Sequence, residues 1–466
     1  MILAIAAALA IVAQDHTWLR AAPRANATGL VALWQGDVVE IRGDHAGYLQ
    51  VYDYQRERGG YVRSAAVRRV GLTEADAPEL LAVLRFLRES AGSEALGISY
   101  GAVYLKAVPP GALTAEPFDA IATMAERLAD SASGARLQQP DIAAHLEVVE
   151  QFGVHMRSFD RDGRVQVCYD GELFRRVLAL ARATAEQRAN AALALTRPEC
   201  IDPDSGPLQR ASLDQERLEL LDEVDERGLS GQMRSRVRAR RAGVLAAIAY
   251  EKARHDESAA AAGERALAEL LGVNPHELGE DRRSEYVDAM LRVSAIRWAT
   301  SLPTAQQGPM TLISSRGEPG QTCLTLQDSR RGHSPLVRRC TFGVVWLPSV
   351  QSIARAPALV VAVQPLESWR ELWVFHEIAG IWMVDVLFPG TDDPGEGYVD
   401  FAGFVPATRH LLVAREVREH GHYRRFFEEL RLDDLALVRQ ASAPELLRAF
   451  GRWQDVNWRR DTLALH

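Results

Sequence analysis

The residues of this chain that could do chemistry are few and scattered. His376 and Glu377 open like a zinc-protease motif, but Gly380 stands where the second histidine belongs. The chain has no Walker A loop and no G-x-G-x-x-G dinucleotide fingerprint. Asp392, Asp393 and Glu396 gather in a Pro/Gly-rich stretch, which reads as a polar turn. Glu419, His420 and His422 flank Gly421, and two histidines without a third ligand read as turn residues. Asp160, Asp162 and Gly163 have a superficial calcium-loop look. The glycine is misplaced, and no glutamate stands at the twelfth position. No catalytic residue is assigned, and no metal or cofactor is expected.

Aromatic residues carry the stronger signal. Trp18, Trp34, Tyr48, Tyr52 and Tyr54, with Tyr61, crowd a short N-terminal stretch. The first five are the candidate ligand-binding groove, because exposed rings are what peptide-recognition surfaces use. Trp346, Trp369, Trp373, Trp382, Trp453 and Trp458 crowd the C-terminal part. In both places the alternative is a core that buries rings for their area. Four cysteines, Cys168, Cys200, Cys323 and Cys340, form an even set and are expected as disulfides, with three pairings open. Pairing Cys168 with Cys200 and Cys323 with Cys340 would close two local loops. None has zinc-ligand spacing.

The elements that position these residues follow from composition and pattern. A chain of 466 residues, 47% hydrophobic and 25% charged, has the make-up of a globular protein, about three domains long. Its net charge of −8 lacks the basic balance of a nucleic-acid binder, and no such partner is expected. Of 54 basic residues only Lys106 and Lys252 are lysines, the imprint of GC-rich coding. Residues 1–13 form an apolar run that ends in small residues. This reads as a secretory signal peptide, although no Lys or Arg precedes it. The run is too short to cross a membrane, so no transmembrane span is expected after its removal. With the cysteines, it points to a periplasmic or otherwise exported protein.

Residues 14–70 hold short β-like runs, Leu30–Trp34, Val38–Ile41, Tyr48–Tyr52 and Gly60–Val62, separated by turn signals. The series Arg20–Pro23, Gln35–Asp37, Tyr48–Val51 and Gly60–Val62 resembles the bacterial SH3-like (SH3b) domain. That family has an Arg-x-x-Pro start, a Lys-Gly-Asp-like turn, a Trp-x-x-Val strand and a final Gly-Trp-Val. Gln35, Tyr48 and Tyr61 depart from it. The resemblance implies a small β-barrel and a role in binding cell-wall peptides or in spacing.

Residues 71–300 read as a helical domain. The stripe Leu80, Leu81, Val83, Leu84, Phe86, Leu87 has helical spacing, with Thr73 and Asp76 as a partial capping box. Gly97–Leu105 reads as a small-residue helix, and Leu173–Leu195 as one continuous helix. Val154–Phe159 and Arg164–Tyr169 read as a hairpin. The basic run Arg234–Arg241 reads as a solvated helix face. Val244–Leu271 is similar in style to tetratricopeptide-type hairpins, without their repeat of about 34 residues, so a bundle or a degenerate solenoid is expected.

Residues 301–320 read as a linker and 321–466 as a β-rich domain, a sheet or partial propeller. Runs such as Ala358–Val363 and Leu411–Ala414 weakly resemble WD-type or TolB-like β-propeller blades. The fold class expected is therefore multidomain α+β. The expected function is non-enzymatic, a cell-envelope binding or scaffolding protein that contacts cell-wall or protein ligands. The alternative is an envelope hydrolase whose site is assembled from distant residues.

Overall fold

The computed structural model describes residues 8–134, 139–161, 163–279, 283–301, 306, 308–332, 334–353, 356–390, 395–419 and 422–461. The protein is mixed α+β: an N-terminal antiparallel sheet, a helical middle and β-rich C-terminal sheets. By packing, the chain divides into two units, Met1–Gln209 with Leu220–Leu229, and Arg210–Glu219 with Ser230–His466. The helices expected as one domain are thus shared between them.

The first unit opens with strands β1 (Leu9–Val12), β2 (Thr17–Arg20), β3 (Gly29–Leu33), β4 (Val38–His45), β5 (Tyr48–Asp53), β6 (Arg58–Arg63) and β7 (Val67–Val70). They form one seven-stranded sheet in the order β3-β2-β6-β5-β4-β1-β7. Among the described residues no pairing joins β3 to β7, so the sheet is not a closed barrel. Its inner face packs Leu19, Leu33, Val39, Leu49, Val51 and Val62 into one core.

The run expected as a removable leader supplies β1. Met1–Ala7 lie outside the described residues, but Leu9–Val12 pairs with both β4 and β7, with Ile11 opposite Val38 on one side and Arg68 on the other. Ala10 and Val12 point into the sheet's core. Ile11 points the other way, among Leu80, Leu87, Tyr100 and Val103 of the helices. A strand buried on both faces needs apolar residues at every position. That unbroken run is what an export signal also looks like. Cleavage after Ala10 would remove half of this strand, and cleavage after Ala13 all of it.

Helices α1 (Ala77–Arg88), α2 (Glu94–Ala107) and α3 (Ala115–Ala132) follow, then α4 (Pro140–Glu150). Thr73 and Asp76 form the capping box just before α1, with the Thr73 amide 2.9 Å from the Asp76 carboxylate. Gly101 lets α2 and α3 touch, since a Cβ there would lie 2.4 Å from Ile121 Cγ1. The expected hairpin is β8 (Met156–Arg161) and β9 (Arg164–Tyr169). Leu173–Leu195 is two helices, α5 (Glu172–Ala179) and α6 (Ala185–Leu195). A second capping box, Thr184 with Gln187, starts the new helix, and this local bonding outcompetes continuation of the first. Cys200, after α6, is bonded to Cys168 of β9.

Helix α7 (Pro207–Asp222) contributes residues to both units. The second unit continues with α8 (Gly231–Arg254), α9 (Ala260–Leu271) and α10 (Arg283–Ala295). The run Arg234–Arg241 is not a solvated face throughout. Arg241 is buried and donates to Glu269 at 3.0 Å, while Arg236 and Arg240 lie near Glu285. Acidic residues on α9 and α10 draw three of these arginines inward.

The stretch expected as a linker contains β10 (Met310–Arg316), which pairs with β11 (Thr322–Asp328), itself paired with β12 (Ser334–Thr341). Ladder pairing, with Leu312 buried under the strand, overrides the polar composition. Cys323 and Cys340 face each other across β11 and β12 and are bonded. Both disulfides are therefore the local pairings. The large sheet is built from β13 (Val344–Ser352), β14 (Ala358–Leu366), β15 (Trp369–Ile378), β16 (Ile381–Leu387), β17 (Glu396–Val405), β18 (His410–Glu419), β19 (His422–Arg431) and β20 (Leu437–Ala441). Its order is β13-β14-β15-β17-β18-β19-β20, with β16 also paired to β15. The described strands form this one continuous sheet and the three-stranded one, and no ring of separate blades. Helices α11 (Arg448–Trp453) and α12 (Val456–Asp461) cover Ala402, Leu412 and Phe427. No helix among the described residues is long and apolar enough to cross a membrane.

The position of β1 has a measurable consequence. Ile11→Ala is expected to lower unfolding free energy by about 2–5 kcal/mol, the usual cost of emptying a buried aliphatic site. A chain beginning at Gln14 is expected to lose the cooperative transition of the first unit. Urea titration followed by near-UV circular dichroism checks both, and an unchanged midpoint would refute them.

Candidate functional site

Strand alternation divides the N-terminal rings between two environments. On β5, Leu49 and Val51 turn inward, so Tyr48, Gln50 and Tyr52 turn outward. Gln50 lies opposite Tyr61 of β6, and Tyr61 lies opposite Arg20 of β2. Trp18 shares the outer face with Arg20 two residues on, while Leu19 between them is buried. The outer face of β2, β6, β5 and β4 thus carries Trp18, Tyr61, Tyr48 and Tyr52, interleaved with Arg20, Gln50 and Arg42.

The rings are held by neighbours. Tyr54, just past β5, meets Tyr52 edge-on at 4.9 Å, and the Arg42 guanidinium sits 4.0 Å over the Tyr52 ring. Glu40 accepts from Arg42 Nε at 3.0 Å and from the Tyr54 hydroxyl at 2.9 Å. Those bonds hold its carboxyl below its ordinary range. His45 stacks edge-on to Tyr61 at 5.4 Å. Trp18 lies across Gly29, where a Cβ would come within 2.6 Å of the indole. Trp18 is 48% and Tyr54 64% exposed, and Tyr48, Tyr52 and Tyr61 are half-buried. The surface offers ring faces with hydrogen-bonding groups between them.

Trp34 is not part of that surface. It packs against the helical core and meets the His16 ring at 4.3 Å. The structure therefore brings together four of the five expected groove residues, adds Tyr61, and sends the fifth inward. The turn after Trp34 is pinned by Asp37, which accepts the Trp34 amide at 2.8 Å and is approached by Arg56. Of the C-terminal tryptophans, Trp346, Trp369, Trp373, Trp382 and Trp458 are buried, and Trp453 is half-buried. They are core residues.

Sequence reading missed one catalytic spacing. Gly97, Ser99 and Gly101 have the G-x-S-x-G spacing of a nucleophile elbow, but they lie inside α2 rather than at a strand-to-helix turn. Ser99 is fully buried, and its hydroxyl donates to the carbonyls of Gly36 and Ala95. His376 is buried and bonded to Asp385 at 2.6 Å. Among the described residues no group of three or more His, Cys, Asp or Glu side chains could hold a metal ion. Asp392, Asp393 and His420 lie outside the described residues.

Glu396, first residue of β17, belongs to an acid–base cluster that local spacing does not reveal. Arg292 of α10 bridges Glu367 at 2.5 Å and Glu396 at 2.9 Å. Arg418 of β18 donates to Asp288 of α10, and Asp288 and Glu396 are hydrogen-bonded to each other. Their side chains are 29% and 20% exposed. Burial, then the Glu396 charge, pushes the Asp288 carboxyl up to about 7, while Arg292 holds Glu396 below its ordinary value. The pair can share one proton at neutral pH.

No known family model, characterised protein or solved structure matches this chain.

The raised Asp288 carboxyl makes stability pH-dependent. The folded state keeps a proton that the unfolded chain releases near pH 3.8, so this group's contribution is full below that value and is lost as pH rises to about 7. Asp288→Asn is expected to flatten the fall in melting temperature between about pH 4 and about pH 7, measured by scanning calorimetry. A variant that falls as steeply as the wild type would contradict this.

Proposed function

We propose that this chain is a binding protein of an oxidising, extracytoplasmic compartment, and that its N-terminal sheet is an SH3-like module whose outer aromatic face engages cell-wall material. The carrying observation is the cluster Trp18, Tyr48, Tyr52, Tyr54 and Tyr61 on one exposed sheet face. Natural proteins seldom leave so many rings on one face without a use. Rings give area at small entropic cost, and the Arg20, Gln50 and Arg42 groups between them give direction to a polar ligand. A peptide-bearing glycan offers both apolar faces and hydrogen-bonding edges. The compartment is argued from the two disulfides, which persist where thiols oxidise, and not from residues 1–13.

A second reading, an envelope hydrolase, draws on the Asp288–Glu396 pair, since two carboxyls with separated pKa values are what acid–base catalysis uses. Both groups are engaged by arginines, and for this reason binding is preferred.

Co-sedimentation of the full chain with peptidoglycan sacculi tests both readings. Wild-type protein is expected in the pellet, and Trp18→Ala or Tyr52→Ala each to weaken binding about 5- to 30-fold, the equivalent of one to two kcal/mol. Wild-type protein left wholly in the supernatant would overturn the binding reading. Soluble fragments released by wild type and not by Asp288→Asn would establish the hydrolase instead.

A further inference from the structure

Around Asp400 the second unit gathers two guanidinium groups against one carboxylate. Asp400 of β17 is buried, and its Oδ1 accepts from Arg370 Nη2 at 2.7 Å and lies 3.3 Å from Arg297 Nη2. Arg370, on β15, is 0% exposed, with its guanidinium 5.1 Å from the Tyr398 ring. Because both arginines reach one oxygen, their guanidinium groups are neighbours. Nε and Nη1 of Arg297, and Nε and Nη1 of Arg370, are sealed from solvent and have no hydrogen-bond acceptor among the described residues. The indole Nε1 atoms of Trp298 and Trp369, each the chain neighbour of one arginine, are in the same condition.

Nearby charges do not close this account. Glu416 is taken by the Tyr423 hydroxyl at 2.6 Å and by Arg425 at 3.3 Å, and burial pushes its pKa up, towards the neutral acid. Burial, with Arg297 adding to it against the opposing Asp400, pushes the Arg370 pKa down, as expected of a cation short of negative charge. A buried uncompensated charge costs several kcal/mol, and orphaned buried donors are rare in folded proteins.

We infer that Arg297 and Arg370 together bind a small monovalent anion of halide size. Two guanidiniums against one carboxylate leave an excess of one positive charge, which one monovalent anion neutralises and a multivalent oxyanion would overshoot. The orphaned guanidinium atoms are N–H donors, matching a ligand that only accepts. Water would satisfy some of those donors and leave the charge in place. This site is independent of the aromatic face and of the function proposed for it.

The probe is bromide, with chloride as its physiological counterpart. Crystals of the full chain grown in bromide are expected to show an anomalous peak within hydrogen-bond reach of both Arg297 and Arg370. In solution, replacing isethionate by chloride at constant ionic strength is expected to raise the melting temperature by on the order of 5 °C once chloride reaches about a hundred times its Kd. Arg297→Gln is expected to abolish the chloride-dependent rise, whatever its effect on the baseline. If that variant fails to fold, the wild-type bromide map decides alone. No peak at the arginines, or a water cluster only, together with equal melting temperatures in the two salts, would overturn the inference.

Discussion

Two strands buried on both faces organise this protein, one in each unit. In the first, β1 gives Ala10 and Val12 to the sheet's core and Ile11 to the core beneath α1 and α2. In the second, β14 gives Val360 to one core and Leu359, Val361 and Val363 to the other. Such a strand must satisfy its main chain by pairing on both edges, since an unpaired buried amide or carbonyl costs about as much as a lost hydrogen bond. β1 has β4 and β7 for this, and β14 has β13 and β15. The remaining sheet and helices are layered against these two.

The surface follows from what is left after that layering. On the N-terminal sheet the inner face takes aliphatic residues and the outer face takes rings and arginines. On the C-terminal sheet both faces are covered, one of them partly by the three-stranded sheet and partly by α11 and α12, so the tryptophans there sink into the core. Similar composition gives opposite outcomes because one sheet has an open face and the other does not.

Charge inside the second unit is handled by arginine, as it is in the first, where Arg197 meets Glu126, Asp130 and Glu199. Arginines take the positions where a buried cation must meet carboxylates: Arg241 with Glu269, Arg292 with Glu367 and Glu396, Arg370 with Asp400. The planar guanidinium serves several acceptors in one geometry, as Arg292 does, and stays charged where a lysine would lose its proton. GC-rich coding supplies arginine in excess, and the fold has put part of that excess inside. At Arg297 and Arg370 the positive charge exceeds the carboxylates provided for it.

The sequence by itself determined what short-range chemistry decides. Periodicity showed the order of β, helical and β-rich regions. The Thr73–Asp76 capping box and the β8–β9 hairpin were readable because their bonds span a few residues. An even cysteine count pointed to disulfides. Only the tertiary structure decided which cysteines pair, which rings face out, and that Leu9–Val12 is a strand. It alone brought Arg297 and Arg370 to Asp400, and Asp288 to Glu396. The physical reason is distance along the chain. Register and layer assignment come from contacts between residues tens to more than a hundred positions apart, and an apolar run carries no mark of which partner will bury it.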